Sequence, residues 1–295
     1  MPTPPESVPI DLAGRVIMIT GATGGLGAPL ARACAAAGAT VVLHGRVVRK
    51  LEALYDEIVA AGHPEPAILP LDLAQVEAGD YADAIGAIRA QLHRLDGLVH
   101  TAVHLGSLGP IEHQPFDQWQ KVLRVNVSAA AALTRAVMPL LTVAPDASVV
   151  FTLDDHALAP RAYWGAYGAA KAALAALAAT LADEWEQRAN LRVNAVVPGP
   201  VRSPLRTLTH PAEDKAALPP IADLVPLYLQ LLGAAHAPSR GLRLDGRAWL
   251  AGQDRAVPLI ARAADARIAG VAGAAIASAA DSSDPGRPPA GGARP

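Results

Sequence analysis

The feature that most constrains how this chain can fold is the alternation of two patterns from about residue 15 to about residue 245. Short runs rich in β-branched residues alternate with longer runs rich in alanine and leucine; the short runs are RVIMIT, TVVLHG, AILPLDL, GLVHTAV, SVVFTL, RVNAVV and GLRLDG. Strands separated by helices favour right-handed βαβ units, in which parallel strands form one sheet covered on both faces. The sequence therefore predicts an α/β fold, with a doubly wound parallel sheet in a three-layer αβα sandwich.

The composition changes at both ends of this alternating region. The first residues, MPTPPESVPI, are rich in proline, and the stretch GVAGAAIASAADSSDPGRPPAGGARP near the other end offers little large apolar surface to bury. We expect residues 1–10 to form a flexible segment and residues 11–252 to form a single domain. Residues 253–295 would form a C-terminal extension, disordered past about 275.

The charge balance limits the possible partners. The chain has 25 basic and 27 acidic residues and a net charge of −2, so it has no general attraction for nucleic acid or for an anionic membrane. The N-terminus lacks a signal-peptide pattern, and the alanine-rich stretches are interpreted as water-soluble helices. The one cysteine, Cys34, excludes an internal disulfide and a thiolate metal cluster. We expect a cytoplasmic protein with a small-molecule ligand and no metal site.

A glycine-rich segment, TGATGGLG, runs from Thr20 to Gly27, directly after the first strand-like run and before a helical pattern. Gly21, Gly25 and Gly27 allow a tight turn and let bare backbone approach a pyrophosphate at the helix N-terminus, where unpaired N–H groups attract anions. The order of strand, loop and helix favours dinucleotide binding on a Rossmann-like fold over a simple glycine-rich turn.

The end of the second strand-like run indicates which dinucleotide binds. NAD sites usually place an acidic residue there to hold the ribose 2′-hydroxyl, whereas this chain has Gly45 followed by Arg46. An arginine suits a 2′-phosphate, which a carboxylate would repel. NADP(H) is therefore the predicted cofactor, with added positive potential from His44, Arg49 and Lys50. The alternative is a solvated basic turn.

Tyr167 and Lys171 stand four residues apart in a stretch of good helix formers, GAYGAAKAAL. At that spacing the two side chains share one helix face, and an ammonium close to a phenol favours the phenolate. The pair is therefore a candidate for proton transfer near neutral pH, although free tyrosine has a pKa of ~10.

Taken together, these motifs resemble those of the short-chain dehydrogenase/reductases. The order is the loop from Thr20 to Gly27, the pair Asp72-Leu73 at the end of the third strand-like run, Asn126 in RVNV, Tyr167-x-x-x-Lys171, and PGPVRSP at residues 198–204. The resemblance spans about residues 10 to 250. It implies an oxidoreductase that transfers hydride between a nicotinamide cofactor and a small molecule.

The resemblance also implies a role for each matching residue. Tyr167 would donate a proton to the substrate, and Lys171 would bridge the nicotinamide ribose and lower the tyrosine pKa. Asn126 would hold a water in the proton relay; alternatively, its amide satisfies backbone groups within a helix. Asp72 and Leu73 would contact the adenine. The complete predicted cofactor site comprises Gly21, Thr23, Gly24, Gly25, Leu26, Gly27, Arg46, Asp72, Leu73, Ala102, Tyr167, Lys171, Pro198, Gly199, Val201 and Ser203.

The chain departs from the family pattern in two places. The family's Asn-Asn-Ala-Gly stretch after the fourth strand appears here as His100-Thr101-Ala102-Val103, and we interpret His100 as a structural histidine. The serine that normally stands thirteen residues before the tyrosine, and holds the substrate carbonyl, is replaced by Asp154.

Asp154 bears on the substrate class. An ionised carboxylate opposes the alkoxide formed from a ketone: at about 4 Å and an effective dielectric of about 20 the repulsion is roughly 4 kcal/mol, on the order of a thousandfold in rate. A protonated Asp154, favoured if Asp155 shares a poorly solvated region with it, would not oppose the alkoxide. Reduction of a C=N bond is instead helped, because a carboxylate stabilises a cation and a carboxylic acid protonates nitrogen. The Asp-Tyr-Lys arrangement resembles the pteridine reductases, whereas the overall layout resembles poorly characterised bacterial short-chain oxidoreductases.

The sequence thus predicts an NADP(H)-dependent oxidoreductase that favours a C=N bond or a pterin-like ring over a simple ketone. The alternative is a catalytically impaired pseudoenzyme that binds NADP(H) for sensing or interaction. Residues Ser203 to Pro220 would form a mobile lid, and Tyr163 and Trp164 are candidates for lining the pocket. The alanine-rich helix around Lys171 would let two copies approach closely, which predicts a homodimer or homotetramer.

Overall fold

The computed structural model describes residues 10–234, 239–253 and 255–260. The predicted flexible segment 1–10 and the predicted extension 253–295 therefore lie almost entirely outside the described residues. Within the described residues the strands are β1 Val16–Thr20, β2 Thr40–Gly45, β3 Ala67–Pro70, β4 Gly97–His100, β5 Ala147–Thr152, β6 Leu191–Val197, β7 Leu242–Asp245 and β8 Ala256–Pro258.

The helices alternate with these strands as the sequence pattern predicts. They are α1 Gly27–Ala36, α2 Val48–Ala60, α3 Ala78–Leu92, α4 Phe116–Leu123, α5 Ala129–Val143, α6 Gly165–Glu184, α7 Pro204–Thr209, α8 Val225–Leu232 and α9 Gly246–Leu250. A π-helical turn, Arg124–Ser128, joins α4 to α5. Short 3₁₀ turns occur at Ile111–His113, Asp155–Ala157, Lys215–Ala217 and Ile221–Leu224.

The strands form one sheet in the order β3-β2-β1-β4-β5-β6-β7-β8. β1 to β7 are parallel, and β8 is antiparallel to β7. The prediction of a doubly wound, Rossmann-like sheet is confirmed. The strand order reverses between β1 and β4, where Thr20 lies opposite both His44 and His100. In such sheets ligands bind at the carboxyl ends of the strands beside this switch point.

Helices cover both faces of the sheet and complete the predicted three layers. On one face α1 contacts α2 and α8, and the buried side chains of these helices form a continuous core with β1 and β2. On the other face α3 contacts α5, while α6 contacts α4 and the π-helical turn. Strands β1, β2 and β6 are almost completely buried and mostly apolar, as expected for a parallel sheet covered on both sides.

The sheet continues past residue 252, where the sequence predicts the end of the domain. β8 pairs with β7 so that Leu242 lies opposite Pro258. Its three residues, Ala-Val-Pro, carry no strand signal, and proline is tolerated there because β8 is an edge strand. We propose that the domain extends to Leu259, which ends the first compact unit of the chain.

Two helical stretches of the described residues, Phe116–Val143 and Gly165–Glu184, are apolar and long enough to cross a membrane by length and composition alone. Core helices of water-soluble proteins pass the same test. In both stretches 44% of the most apolar window is buried inside the protein, and α5 and α6 contact strands of the sheet. Packing on the sheet therefore accounts for much of their apolar character.

Candidate active site

The glycine-rich loop between β1 and α1 is shaped by positions where no side chain fits. Gly21 has a φ of +66°, and a Cβ there would lie 2.9 Å from the Cα of Ala102. A Cβ on Gly27 would lie 2.1 Å from the Gly21 carbonyl oxygen, and one on Gly25 would lie 2.7 Å from the ring of the proline that starts α7. The N-cap residue of α1, Leu26, offers no side-chain acceptor to the first-turn N–H groups. This is the geometry that suits a pyrophosphate.

A cleft of about 460 Å³ opens beside this loop at the carboxyl ends of the strands. It is lined by every predicted catalytic and cofactor residue except Asn126: Gly21, Thr23, Gly24, Gly25, Leu26, Gly27, Arg46, Asp72, Leu73, Ala102, Asp154, Tyr167, Lys171, Pro198, Gly199, Val201 and Ser203. The fold thus brings together residues that are spread over most of the chain.

At the cofactor end of the cleft, Arg46 and Lys50 are exposed and line the opening just after β2. β2 ends at Gly45, so no carboxylate stands at the end of that strand. Asp72 accepts a hydrogen bond from the backbone N–H of Ala74 at 3.0 Å, which fixes the turn after β3. This end combines a backbone cradle with positive charge, as a phosphorylated ribose requires.

At the substrate end, the carboxylate of Asp154 is the centre of a hydrogen-bond cluster. The Tyr167 hydroxyl donates to its Oδ2 at 3.0 Å. The backbone N–H of His156 donates to Oδ1 at 3.0 Å, and the His156 ring bonds the same oxygen through Nδ1. The ring also stacks on Trp164, with centroids 3.6 Å apart. Sequence reasoning paired Asp154 with Tyr167 but missed His156, for which the available signal was the local turn that Asp-x-His favours.

Burial and these bonds set the charges in the cluster. Burial alone would raise the pKa of Asp154, but the hydrogen bonds from His156 and the charge on Lys171 outweigh it and hold the pKa below its ordinary value. Burial, together with the charge and hydrogen bond of Asp154, raises the pKa of Tyr167 well above its ordinary value. Asp154 is therefore an ionised acceptor and Tyr167 a neutral donor.

The neighbouring carboxylate, Asp155, has a different environment. It is 52% exposed and lies 3.7 Å from the guanidinium of Arg247. The two aspartates therefore do not share a poorly solvated region, and the condition under which Asp155 would keep Asp154 protonated is not met.

Lys171 is buried beside Tyr167 but bonds a different group. Its Nζ donates to the carbonyl oxygen of Thr152 at 2.8 Å and lies 5.7 Å from the centroid of the tyrosine ring. Burial lowers the pKa of Lys171 to about 8, against the opposing charge of Asp154. The ammonium therefore bonds backbone and not the tyrosine hydroxyl, whose pKa is raised by burial and by Asp154. That Lys171 lowers the tyrosine pKa stays a prediction.

Asn126 lies in the π-helical turn and is buried. Its Oδ1 accepts the backbone N–H of His104 at 2.9 Å, and its Nδ2 donates to the His104 carbonyl oxygen at 2.7 Å. The amide thus satisfies backbone groups, as the simpler alternative had it, although these belong to the loop after β4 instead of its own helix. The role of Asn126 in a water relay stays a prediction.

Two buried histidines, His44 in β2 and His100 in β4, lie at the carboxyl ends of their strands. The prediction that His100 is structural is confirmed, because its Nε2 lies 2.9 Å from the hydroxyl of Thr134 and its ring stacks on Phe151 at 4.7 Å. His44 lines the cleft, and neither of its ring nitrogens has a hydrogen-bond partner among the described residues. Burial lowers the pKa of His44 to about 4 and that of His100 to about 3.

The segment predicted as a lid, Ser203 to Pro220, contributes residues to the cleft lining. The Ser203 hydroxyl caps α7 by accepting the backbone N–H of Arg206 at 3.1 Å. The Arg206 guanidinium binds both carboxylate oxygens of Glu213, each at 2.7 Å, an ion pair that sequence reasoning did not anticipate. Trp164 lines the cleft as expected, whereas Tyr163 is 62% exposed and lies outside the cleft lining. The mobility of this segment stays a prediction.

Comparisons with known sequences identify relatives of the chain. The family model for short chain dehydrogenases matches residues 15–214. The uncharacterized oxidoreductase YciK of Escherichia coli (strain K12) is 38% identical over 236 residues, which cover 80% of this chain and 93% of the relative. The human dehydrogenase/reductase SDR family member 4 is 32% identical over 193 residues, covering 65% of this chain and 68% of that protein.

Solved structures share the fold as well. A short chain dehydrogenase structure from Salmonella enterica serovar Typhi is 38% identical with a TM-score of 0.79, and the match covers 82% of this chain and 99% of that chain. A Shigella flexneri 2a chain in complex with NADP is 36% identical with a TM-score of 0.78, covering 81% of this chain and 100% of that chain. An Escherichia coli CFT073 chain in complex with NADPH is 37% identical with a TM-score of 0.78, covering 82% and 100%.

Proposed function

The chain belongs to the short-chain dehydrogenase/reductase family, and from this premise we propose that it is an NADP(H)-dependent reductase of small molecules, with a C=N bond or a pterin-like ring as the reacting group. The proposal has two parts, the cofactor and the substrate class, which rest on opposite ends of the cleft.

The cofactor end supports NADP(H). Arg46 and Lys50 offer cations where a 2′-phosphate would lie, and the glycine loop leaves backbone N–H groups for the pyrophosphate. The Shigella flexneri and Escherichia coli CFT073 neighbours, which were solved with NADP and NADPH, agree with this choice. When bound, the cofactor supplies the hydride, while Lys171, with its buried ammonium, would hold the nicotinamide ribose.

The substrate class rests on one observation: the ionised carboxylate of Asp154 accepts the hydrogen bond of the Tyr167 hydroxyl. A ketone oxygen has only lone pairs, so it accepts from Tyr167 but is repelled by Asp154, and more strongly as it becomes an alkoxide. A C=N nitrogen that carries hydrogen donates a hydrogen bond to Asp154, and the negative charge of the carboxylate stabilises positive charge on that nitrogen. Tyr167 then supplies a proton to a neutral nitrogen, and Asp154 orients the substrate.

A second candidate function is an NADP(H)-binding pseudoenzyme. It is favoured by the same bond, since a tyrosine that donates to a carboxylate and has a raised pKa is a poor acid unless the substrate displaces that carboxylate. Both candidate functions require NADP(H) binding, and only the reductase turns over a substrate.

The experiment that separates them is steady-state NADPH oxidation with a panel of ketones, cyclic imines and dihydropterins. We expect turnover of the C=N substrates at rates at least a hundredfold above the ketones. Tight NADPH binding without turnover of any substrate would support the pseudoenzyme, and rapid turnover of simple ketones at every pH would contradict the role given to Asp154.

We also propose that the protein is cytoplasmic and forms a homodimer or homotetramer. α6 presents many alanines, including partly exposed ones, which permit close approach of a second helix. Light scattering at micromolar concentration would test the assembly, and a monomer alone would contradict it.

A further inference from the structure

His156 is held in the cleft more firmly than any role described so far requires. Its backbone N–H and its ring Nδ1 both bond Oδ1 of Asp154, and its ring stacks on Trp164. The ring also meets Tyr167 edge-on, with centroids 6.3 Å apart. Only 13% of its side chain is exposed. Because an ionised carboxylate has no hydrogen to donate, Nδ1 must carry a proton and the ring takes a defined tautomer.

Charged and titratable groups surround this ring from several elements. Within its own turn stand Asp154 and Asp155, and α6 contributes Tyr167 and the charge of Lys171 near Asp154. The segment from Ser203 to Pro220 contributes Arg206, whose charge interacts with both aspartates, and His210, which lies against Trp164 and interacts with the charge of His156. Arg247 pairs with Asp155. Among these groups only His156 bonds Asp154 through an imidazole, a side chain that can gain or lose a proton on Nε2 while Nδ1 keeps its hydrogen bond.

The net charge that a substrate meets at Asp154 therefore depends on whether the His156 imidazole is protonated. With a protonated imidazole the two side chains form a neutral pair, and with a neutral imidazole they carry one negative charge. The Nδ1 hydrogen bond exists in both forms, so the geometry at Tyr167 does not change between them. Only the electrostatic potential changes, by an amount that a nearby reacting atom experiences strongly at low dielectric.

We propose that His156 is a positioning residue that sets the substrate charge this site accepts. In its protonated form it offsets Asp154, so that neutral C=N and C=O substrates are reduced; in its neutral form it leaves an anionic site that favours cationic iminium substrates. This inference rests on the proposed reductase function and deepens it.

The test compares His156→Gln with His113→Gln across pH 6 to pH 9. Glutamine keeps an N–H for Asp154 but is always neutral. His113 is the matched control, a histidine that lies 3.6 Å from the carboxylate of Glu112 on the surface, where its side chain is 74% exposed. The probes are an activated 1,2-diketone, which is neutral at every pH, and an N-methyl dihydroisoquinolinium ion, which is always cationic.

In the natural protein we expect kcat for the diketone to fall at least tenfold between pH 6 and pH 9, while kcat for the iminium ion stays level or rises. His156→Gln should lower diketone kcat at pH 6 about tenfold and should flatten the profile below pH 8, near which Lys171 also loses its charge. It should leave the iminium reaction within about twofold. His113→Gln should follow the natural protein. A natural pH profile in His156→Gln, or an equal loss for both probes at every pH, would overturn the proposal.

A second measurement does not depend on turnover. Nuclear magnetic resonance of the histidine rings should show one titrating signal that is absent from His156→Gln and that titrates at a different pH in Asp154→Asn. If neither probe is reduced, the proposed function fails, and this titration still decides whether Asp154 and His156 form one charge unit. An identical titration in the natural protein and in Asp154→Asn would overturn the inference.

Discussion

The cofactor end of the cleft is built mainly from backbone, whereas the substrate end is built from side chains that bond one another. At the first end, Gly21 and Gly27 leave no room for a Cβ, and the N-cap residue of α1 offers no side-chain acceptor to the helix N-terminus. At the second end, Asp154, His156 and Tyr167 come from two segments and depend on each other for charge and orientation. A backbone site tolerates many substitutions around it, while one substitution in the side-chain cluster changes the charge of the whole cluster.

The largest expected effect lies at the substrate end. Tyr167→Phe removes the proton donor to a neutral substrate, and general acid catalysis of this kind contributes about 10²–10⁴-fold. We expect kcat for neutral C=N substrates to fall roughly a thousandfold while NADPH affinity, measured by intrinsic fluorescence, changes less than about threefold. Tyr163→Phe, four residues earlier and outside the cleft lining, is the control. A variant that keeps a tenth of the activity would mean that another group supplies the proton.

Asp154→Ser should have the next largest effect. The change removes a repulsion of roughly 4 kcal/mol toward an alkoxide, so ketone reduction should rise by about two orders of magnitude or more, while C=N reduction slows. Asp155→Ser, at the exposed neighbour, should alter neither reaction by more than about threefold. If neither substrate class responds to Asp154→Ser, the pseudoenzyme alternative is favoured. Ketone turnover by the natural protein that falls as pH rises would fit either a protonated aspartate or a protonated His156, which His156→Gln distinguishes.

A smaller effect is expected at the cofactor end. Arg46 offers a cation for a 2′-phosphate, so NADPH should bind at least about tenfold more tightly than NADH, and Arg46→Ala should remove most of that preference. Arg49→Ala, three residues later in the first turn of α2 and outside the cleft lining, should have a smaller effect. Equal affinities for the two cofactors in the natural protein would show that the basic turn is only a solvated surface.

The smallest effect concerns stability beneath the cofactor end. Burial holds the pKa of His44 at about 4, below the ordinary value near 6.5, so the unfolded chain binds the proton more readily. The free energy of unfolding is therefore unaffected by this group well above pH 6.5 and decreases as pH falls toward 4. The decrease is about 1 kcal/mol by pH 5.5. His44→Leu should reduce the difference in free energy of unfolding between pH 7.5 and pH 5.5, as measured with urea. An unchanged difference, equal to that of His113→Gln, would contradict this.

The comparison between the two ends also explains what the sequence could predict. The glycine loop, Arg46 and seven of the strands can be predicted from local patterns. A tight loop needs glycines and a strand favours β-branched residues, and in both cases the residues concerned are adjacent in the sequence. Asp154 and Tyr167 were linked only through their spacing. The raised pKa of Tyr167 comes from its burial and then from its contact with Asp154, and both depend on packing between segments that no local pattern encodes.

His156 and β8 were missed for related reasons. The histidine gains its importance from the carboxylate it bonds and the ring of Trp164 on which it stacks. β8 has only three residues, two of which, Ala256 and Pro258, are poor strand formers, and it forms because β7 offers an unpaired edge. Arg206 likewise looks like one basic residue of a polar segment until the chain folds back and places Glu213 against it.

The contact between Gly25 and the proline that starts α7 has a consequence for the kinetic order of the reaction. The glycine loop and the segment over the substrate touch here, closely enough that a Cβ on Gly25 would lie 2.7 Å from the prolyl ring. A dinucleotide whose phosphates lie on that loop would sit beneath the base of α7, so it should enter before the substrate and leave after the product. We therefore expect an ordered sequential mechanism, in which the oxidised cofactor inhibits competitively against NADPH and the reduced product does not.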